Sequence, residues 1–177
     1  YTEKLANKMG ITNVKRTIDP TFLYDYKQSV LNRLVPENYL LVYTYGFSEE
    51  SIKAVQMFAS NHDLKIVATG SNCEWGDINP MVSPFEWLSL FKYSTYVVTS
   101  TFHGSVFSII FEKQFAVIEN DSNKVKSLLE EFHLLHRKVN PSNNLTDVFK
   151  DHIDYNYTNI FVDERRKQSS DYLLSHF

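Results

Sequence analysis

The chain has 177 residues, of which 43% are hydrophobic and 22% charged, the balance of one globular domain rather than of a disordered segment. The formal net charge of -3 and the lack of a basic stripe argue against a nucleic-acid partner, and the apolar runs are too short to cross a bilayer. A lone cysteine, Cys73, excludes an internal disulfide and fits a reducing compartment, so we expect a cytoplasmic protein.

The first residues contain a short predicted helix followed by an extended segment. The sequence starts at Tyr1 rather than at a methionine, and we expect it to be cut from a longer protein. TEKLANKMG (2–10) has apolar residues at helical spacing and ends at Gly10, a suitable helix stop. RTIDPTFLYD (16–25) is predicted to be extended, because the residue before a proline is disfavoured in a helix.

Apolar strands then alternate with helices along the chain. In chain order the predicted elements are strand YLLVYTYG (39–46), helix SEESIKAVQMFASNHD (48–63), strand LKIVATGS (64–71), helix SPFEWLSLFKYS (83–94), strand TYVVTST (95–101), helix SVFSIIFEK (105–113), strand QFAVIEN (114–120) and helix SNKVKSLLEEFHLL (122–135). Two further helical pieces are predicted in the tail. Because the strands are apolar throughout, the sequence predicts an α/β domain with a parallel sheet and helices on both faces.

Serines mark the expected starts of three of these helices. Ser48, Ser83 and Ser122 each stand where a side chain can accept a hydrogen bond from the first helical turn. Ser83 is followed by Pro84 and, three residues on, by Glu86, the pattern of a capping box. The capping box explains both Ser83 and Glu86, so we expect a structural role for them rather than a role in a ligand site.

A polar segment, TSTFHG (99–104), interrupts the apolar core where a predicted strand turns into a helix. Ligands of parallel α/β sheets bind beyond the carboxyl ends of the strands, and a helix start offers free N–H groups to an anion. Gly104 would let the backbone approach a ligand, and Ser105 could cap the helix or donate a hydrogen bond.

The other side chains of this segment carry the remaining chemistry. Ser100 and Thr101 add hydroxyl donors, and the imidazole of His103 can hold or move a proton near neutral pH. Together these side chains predict a binding site for a phosphate or a carboxylate. The same residues also suit a purely structural turn with caps and a hydrogen-bonded histidine, and the pattern alone leaves both readings open.

Other loops at the same predicted sheet edge supply weaker candidates. They are Tyr45 and Gly46 after the first strand and Gly70, Ser71 and Asn72 after the second. Most of the aromatic residues are expected to pack in the core, but Trp75, in the next loop, is a candidate for stacking on a sugar. His133 and His136 have no further ligand at zinc spacing, so no metal is expected.

The run VVTSTFHGSVFSIIFEKQFAVI (97–118) closely resembles the signature of the polysaccharide pyruvyl transferase family, in which a strand, [S/T]FHG and an apolar helix follow one another. Three further stretches resemble the layout of that family: IDPTFL (18–23), SPFEWLSLFKYSTYVV (83–98) and IDYNYTNIFVDERRKQSSDYLLSHF (153–177). There are two departures. The family often has an acidic residue where this chain has Ser100, and often a proline where it has Gln114.

The resemblance implies a fold similar to the glycosyltransferase-B type, in which two Rossmann-like halves face each other across a cleft. Residues 36–177 would be the Rossmann-like, donor-binding C-terminal half with its closing helices, and residues 1–35 the tail of the preceding domain and a linker. We expect no membrane span. The isolated chain is expected to be inactive, because the acceptor side of the cleft would be missing.

The resemblance also implies the chemistry. The family transfers the enolpyruvyl unit of phosphoenolpyruvate to two hydroxyls of a sugar, which gives a pyruvate ketal on a cell-surface or capsular glycan precursor. His103 matches the functional histidine of the family and would act as a proton donor or hold the phosphate. The anion would be bound by the hydroxyls of Ser100 and Thr101 and by the N–H groups of Gly104 and Ser105. Phosphoenolpyruvate would be a substrate, and no cofactor is expected.

Two other functions remain open at this point. The chain could be a sugar-nucleotide glycosyltransferase domain of the same build, although its predicted donor loops lack the paired basic and acidic residues of that class. It could also be a truncated, non-catalytic binding domain. An anionic donor normally recruits Arg or Lys. Arg16, Lys53 and Lys92 are the candidates, and nothing in the sequence distinguishes them from solvated charges, so the cation is expected in the missing half.

Overall fold

The structure is a computed structural model that describes residues 2–11, 14–71, 73–141 and 144–175. The strands are β1 (Tyr39–Tyr43), β2 (Lys65–Thr69), β3 (Tyr96–Thr99) and β4 (Gln114–Val117). The helices are α1 (Thr2–Lys8), α2 (Glu49–Asn61), α3 (Pro84–Tyr93), α4 (Phe102–Ile110), α5 (Asn123–Glu131), α6 (Leu145–Lys150) and α7 (Tyr155–Leu174). No helix in these ranges is long and apolar enough to cross a membrane.

The four strands form one parallel sheet in the order β2-β1-β3-β4. Tyr43, at the end of β1, pairs with Thr69 of β2 on one side and with Thr99 of β3 on the other. The predicted α/β domain with a parallel sheet is therefore confirmed. The chain leaves β1 toward β2 but leaves β3 toward β4, so the topological switch point lies between β1 and β3.

The sheet is buried on both faces, which explains why its strands lack apolar–polar alternation. On one face, Val42 and Val98 of the sheet pack in a cluster with Phe58 of α2 and Phe149 of α6. On the other face, the apolar cluster contains side chains from α3, α4, α5 and α7. Fully buried strand residues such as Leu41 lie between these layers, and the core thereby fixes the sheet edge where the loops meet.

The segment 16–25, predicted to be extended, contains a short 3₁₀ turn, Pro20–Leu23. A second 3₁₀ turn, Tyr26–Ser29, follows it directly. In each, an aspartate caps the turn: Asp19 accepts a hydrogen bond from the Thr21 N–H (2.9 Å), and Asp25 accepts one from the Lys27 N–H (3.0 Å). The prediction rested on the restriction that Pro20 places on the preceding residue. It did not take into account that Asp19 and Asp25 favour turns.

These N-terminal residues pack against the main core. Ile18 and Phe22 are almost fully buried in the same cluster as Leu41 of β1. The Ile18 N–H donates to Ser169 Oγ of α7 (2.8 Å), and the Phe22 ring contacts that of Phe132 edge-on (5.4 Å between centroids). The division of the chain at residue 35 stays a prediction.

Two polar side chains, Gln114 and Arg137, hold the C-terminal helices on the sheet. Gln114 of β4 bonds both backbone groups of Ile153: its amide donates to the carbonyl (3.2 Å), and its Oε1 accepts from the N–H (2.7 Å). Arg137 is fully buried and donates to the carbonyls of Val148 (2.8 Å) and Asp151 at the end of α6. Gln114, where the family often has proline, therefore anchors the start of α7.

Candidate functional site

A cleft of about 990 Å³ opens at the carboxyl ends of the strands. Loops after β1, β2 and β3 contribute to its walls, and this is the edge where parallel α/β sheets bind ligands. Residues lining the cleft include Tyr45, Gly70, Ser71, Ser83, Trp87 and His103. Four of the predicted candidates, Tyr45, Gly70, Ser71 and His103, are thus brought together in one cleft.

Helix α4 starts three residues earlier than predicted. Its cap is Thr101, whose Oγ1 accepts a hydrogen bond from the Gly104 N–H (2.9 Å). Ser105, predicted to cap the helix or to donate a hydrogen bond, does not cap it. Ser105 is fully buried one turn in, where both its N–H (3.2 Å) and its hydroxyl (3.1 Å) donate to the Thr101 carbonyl. Thr101 and Ser105 are both good capping types, and the early start places His103 inside the first helical turn.

Gly104 is required for packing rather than for close approach of a ligand. A Cβ at this position would lie 2.7 Å from Thr101 Oγ1 and from Thr99 Cβ, and closer still to Thr99 Oγ1. The residue is buried, and its N–H is bonded to the cap. The N–H groups of Gly104 and Ser105, which were predicted to bind the anion, both have acceptors within this turn: Thr101 Oγ1 and the Thr101 carbonyl oxygen.

A hydroxyl network fixes the start of α4 on the sheet. Thr99 Oγ1 donates to the Tyr43 carbonyl of β1 (2.7 Å) and accepts from the Thr101 N–H (3.0 Å). The hydroxyls of Ser100 and Thr44 are hydrogen-bonded at 2.8 Å, and the Ser100 N–H donates to the Tyr43 carbonyl (3.3 Å). Ser100 and Thr101 do not line the cleft, so in this structure their hydroxyls position the turn.

The free donors at this helix start belong to Phe102 and His103. They occupy the first two helical positions after the cap, where an N–H has no intrahelical acceptor. No acceptor for them occurs elsewhere among the described residues. The His103 side chain is exposed, contacts the Phe102 ring edge-on (5.5 Å between centroids), and lines the cleft. The arrangement can bind an anion with two N–H groups, the helix dipole and an imidazole.

Gly70 and Gly46, in the loops after β2 and β1, differ in whether they line the cleft. Gly70 lines the cleft with φ +102°, and a Cβ there would lie 2.7 Å from the Thr44 carbonyl oxygen, so only glycine fits. Gly46 is exposed, donates its N–H to Thr44 Oγ1 (3.0 Å) and does not line the cleft. Ser71 lines the cleft, with its Oγ 3.4 Å from Cys73 Sγ. Asn72 lies outside the described residues.

The capping box at α3 is confirmed. Glu86 accepts from the Ser83 N–H (2.7 Å), and Ser83 Oγ accepts from the Glu86 N–H (3.4 Å). The hydrogen bond from the Ser83 backbone holds the pKa of Glu86 below its usual value. Ser83 nevertheless lines the cleft, because α3 begins at its wall.

Glu119, which the sequence analysis missed, occupies the N-terminus of α2. Its carboxylate accepts from the Ser48 N–H (3.1 Å), from the Ser51 hydroxyl (2.6 Å) and from the Ser48 hydroxyl. Partial burial acts to raise the pKa of Glu119, but these hydrogen bonds together lower it. The chain itself therefore fills the anion-binding end of α2.

Replacing Glu119 by glutamine should destabilise the protein by about 1 kcal/mol at pH 7, because charge-assisted bonds to the Ser48 N–H and to the hydroxyls are lost. The lowered pKa means that the folded state favours the carboxylate, so this stabilisation is complete above the unfolded pKa and disappears as the pH falls below about 4. Urea unfolding at several pH values measures the difference. Exposed Glu37→Gln is the control, and an equal loss in both variants would contradict the capping role.

None of the three candidate cations reaches the cleft. Arg16 pairs with Glu131, while Lys53 and Lys92 are exposed on helices α2 and α3. Within the described part of the chain, no Arg or Lys lines the cleft at all.

Trp75 is half-buried, and its ring lies 6.3 Å from that of Phe47. Over the described residues, no group of three or more His, Cys, Asp or Glu side chains could hold a metal.

The fold and the site define a class of protein: a parallel α/β domain with a cleft at its topological switch point. The chain belongs to the polysaccharide pyruvyl transferase family, whose family model matches residues 1–122, a range that contains His103 and the whole sheet. The likeness of the closing helices beyond residue 122 stays a prediction. No curated protein and no solved structure matches the chain significantly.

Proposed function

We propose that this chain provides the donor-binding wall of a polysaccharide pyruvyl transferase that uses phosphoenolpyruvate. The enzyme transfers the enolpyruvyl group to two hydroxyls of a sugar on a cell-surface glycan or its precursor, and the product is a cyclic pyruvate ketal. Family membership supports transfer to a glycan acceptor. Phosphoenolpyruvate is a substrate in this proposal, and neither a metal nor a cofactor is needed for the reaction.

The observation that carries the proposal is the position of His103. Its imidazole is exposed at the first turn of α4, next to the free N–H groups of Phe102 and His103, and it faces the cleft at the switch point. Phosphoenolpyruvate carries a phosphate and a carboxylate. A helix N-terminus with an adjacent imidazole suits either group, because both are anions with several acceptor oxygens.

The reaction needs a proton at one carbon and stabilisation of the departing phosphate. A proton adds to the methylene carbon of the enol, one sugar hydroxyl bonds to the adjacent carbon, and the second hydroxyl replaces phosphate there. The two hydroxyl protons balance the new methyl group and the released phosphate. His103 can donate the first proton or, as imidazolium, hold the phosphate that leaves.

We propose further that the cleft has a second wall in a glycosyltransferase-B arrangement, of which this chain is one half. The described lining residues present hydroxyls, aromatic rings and His103 to a multiply charged donor, without Arg or Lys. A cation from a facing half would complete the charge balance. The enzyme would act in the cytoplasm, where Cys73 stays reduced.

An NMR titration of this chain with phosphoenolpyruvate tests the donor site. We expect shifts centred on the amides of Phe102 and His103, and weaker binding in His103→Ala. The His152→Ala variant, which removes an exposed histidine that does not line the cleft, should bind like the wild type. Saturation by UDP or CMP with phosphoenolpyruvate inert would support a sugar-nucleotide glycosyltransferase instead, and no response to phosphoenolpyruvate would contradict a donor wall.

A further inference from the structure

Tyr45 is an exposed aromatic residue at the mouth of the cleft. It lies in the loop after β1, its side chain is 72% exposed, and it lines the same cleft as His103. Other tyrosines, such as Tyr24 and Tyr157, are also exposed, but Tyr45 differs from them because it lines the cleft.

Contacts from within the fold hold Tyr45 in place. Its hydroxyl is 2.9 Å from the Tyr43 hydroxyl, and the two rings meet edge-on at 5.8 Å. Tyr43 in turn packs edge-on against Trp87 at 5.1 Å, and a Cβ on Gly70 would collide with the Tyr43 ring. Burial raises the pKa of Tyr43, so its phenol stays protonated and keeps the hydroxyl pair intact. An exposed ring is thus pre-oriented, which lowers the entropic cost of binding a ligand on it.

The rest of the cleft suits a ligand with apolar faces and hydroxyl edges. Met81, fully exposed, adds a second apolar side chain to the lining, and Ser71 and Ser83 add hydroxyl groups. The volume of about 990 Å³ is that of a site for a drug-sized ligand, so a three-carbon donor leaves room for a second substrate. A pyranose ring has C–H faces that pack on an aromatic ring and hydroxyl groups that bond to serines.

We propose that Tyr45 is the platform on which the acceptor sugar stacks, so that its hydroxyls face the donor held at His103. This inference rests on the proposed function, because it assigns an acceptor contact of that reaction, and it departs from the expectation that the acceptor side lies entirely outside this chain. Tyr45 positions the substrate by contact with its ring and takes no part in the proton transfers.

Saturation-transfer NMR on this chain, with the methyl glycosides of glucose, galactose, mannose and N-acetylglucosamine as probes, tests the platform. At least one glycoside should receive saturation at its ring protons. Tyr45→Ala should weaken that binding about three- to tenfold, as expected for one lost aromatic contact. Tyr45→Phe keeps the ring but loses the hydroxyl bond to Tyr43, so it should bind more weakly than the wild type and more tightly than Tyr45→Ala. Tyr157→Ala, which removes a 50% exposed tyrosine away from the cleft, should change nothing.

Phosphoenolpyruvate added to the same samples separates the two proposals. If no glycoside binds, or if binding is equal in the wild type and Tyr45→Ala, the platform is overturned, while shifts at His103 would still support the donor site. If glycoside binding depends on Tyr45 but phosphoenolpyruvate is inert, the platform stands and the donor assignment fails.

Discussion

Gly104→Ala is expected to destabilise the protein by about 3 kcal/mol or more. The new Cβ would lie 2.7 Å from Thr101 Oγ1 and would collide with the Thr99 side chain. Thr99 is fully buried and bonded to the Tyr43 carbonyl and the Thr101 N–H, so it cannot turn aside without leaving these groups unpaired. The higher helix propensity of alanine, about 1 kcal/mol, is too small to compensate.

Urea unfolding measures this loss, and Gly76→Ala is its matched control. At Gly76 the nearest atom to a new Cβ is Ala68 Cβ at 3.3 Å, so only a small adjustment is needed and the change should stay below about 1 kcal/mol. A loss below about 1 kcal/mol in Gly104→Ala would mean that α4 does not sit directly on the end of β3.

Gly104 also shows what a local pattern can and cannot tell. The sequence predicted that Gly104 allows a ligand to approach the backbone, whereas the structure requires glycine there because Thr99 and Thr101 leave no room for a Cβ. The reason lies in Thr99, five residues earlier, whose side chain is turned toward the helix by its bond to another strand. A pattern contains the residue types but not this orientation, so close approach of a ligand and close packing of a helix looked alike.

The layers of the fold were predictable because burial affects every residue of an element. Strands buried on both faces are apolar throughout, and the serine caps Ser48, Ser83 and Ser122 accept the expected hydrogen bonds. The start of α4 was misplaced because Thr101 and Ser105 are equally plausible caps. Only the bond from the Gly104 N–H to Thr101 decides between them.

The missed features depend on contacts between residues far apart in the sequence. Glu119 and Ser48 are separated by 71 positions, and no spacing rule connects an acid after one strand with a serine after another. Because α4 starts at Phe102, its free N–H groups belong to Phe102 and His103. The sequence analysis named the N–H groups of Gly104 and Ser105, two residues further along the chain. His103 itself was identified by its resemblance to a family signature, and the sheet order then placed it at the switch point.

His103→Gln is expected to lower the rate of pyruvyl transfer by about 10²- to 10⁴-fold in the complete enzyme, because glutamine can neither donate a proton nor carry a charge. The side chain is exposed, so the free energy of unfolding should stay within about 0.5 kcal/mol of the wild type, and lost activity will not reflect lost structure. His152→Gln, at an exposed position outside the cleft, is the control for activity.

The kinetic constants then separate the two roles proposed for His103. If the imidazole donates the proton, kcat falls in His103→Gln with little change in KM for phosphoenolpyruvate, and His103→Lys does not restore the rate. If it holds the phosphate as a cation, KM rises, and His103→Lys recovers much of the binding because lysine keeps a positive charge at neutral pH. Phosphate release from phosphoenolpyruvate in the presence of acceptor measures both constants, and wild-type values in His103→Gln would contradict either role.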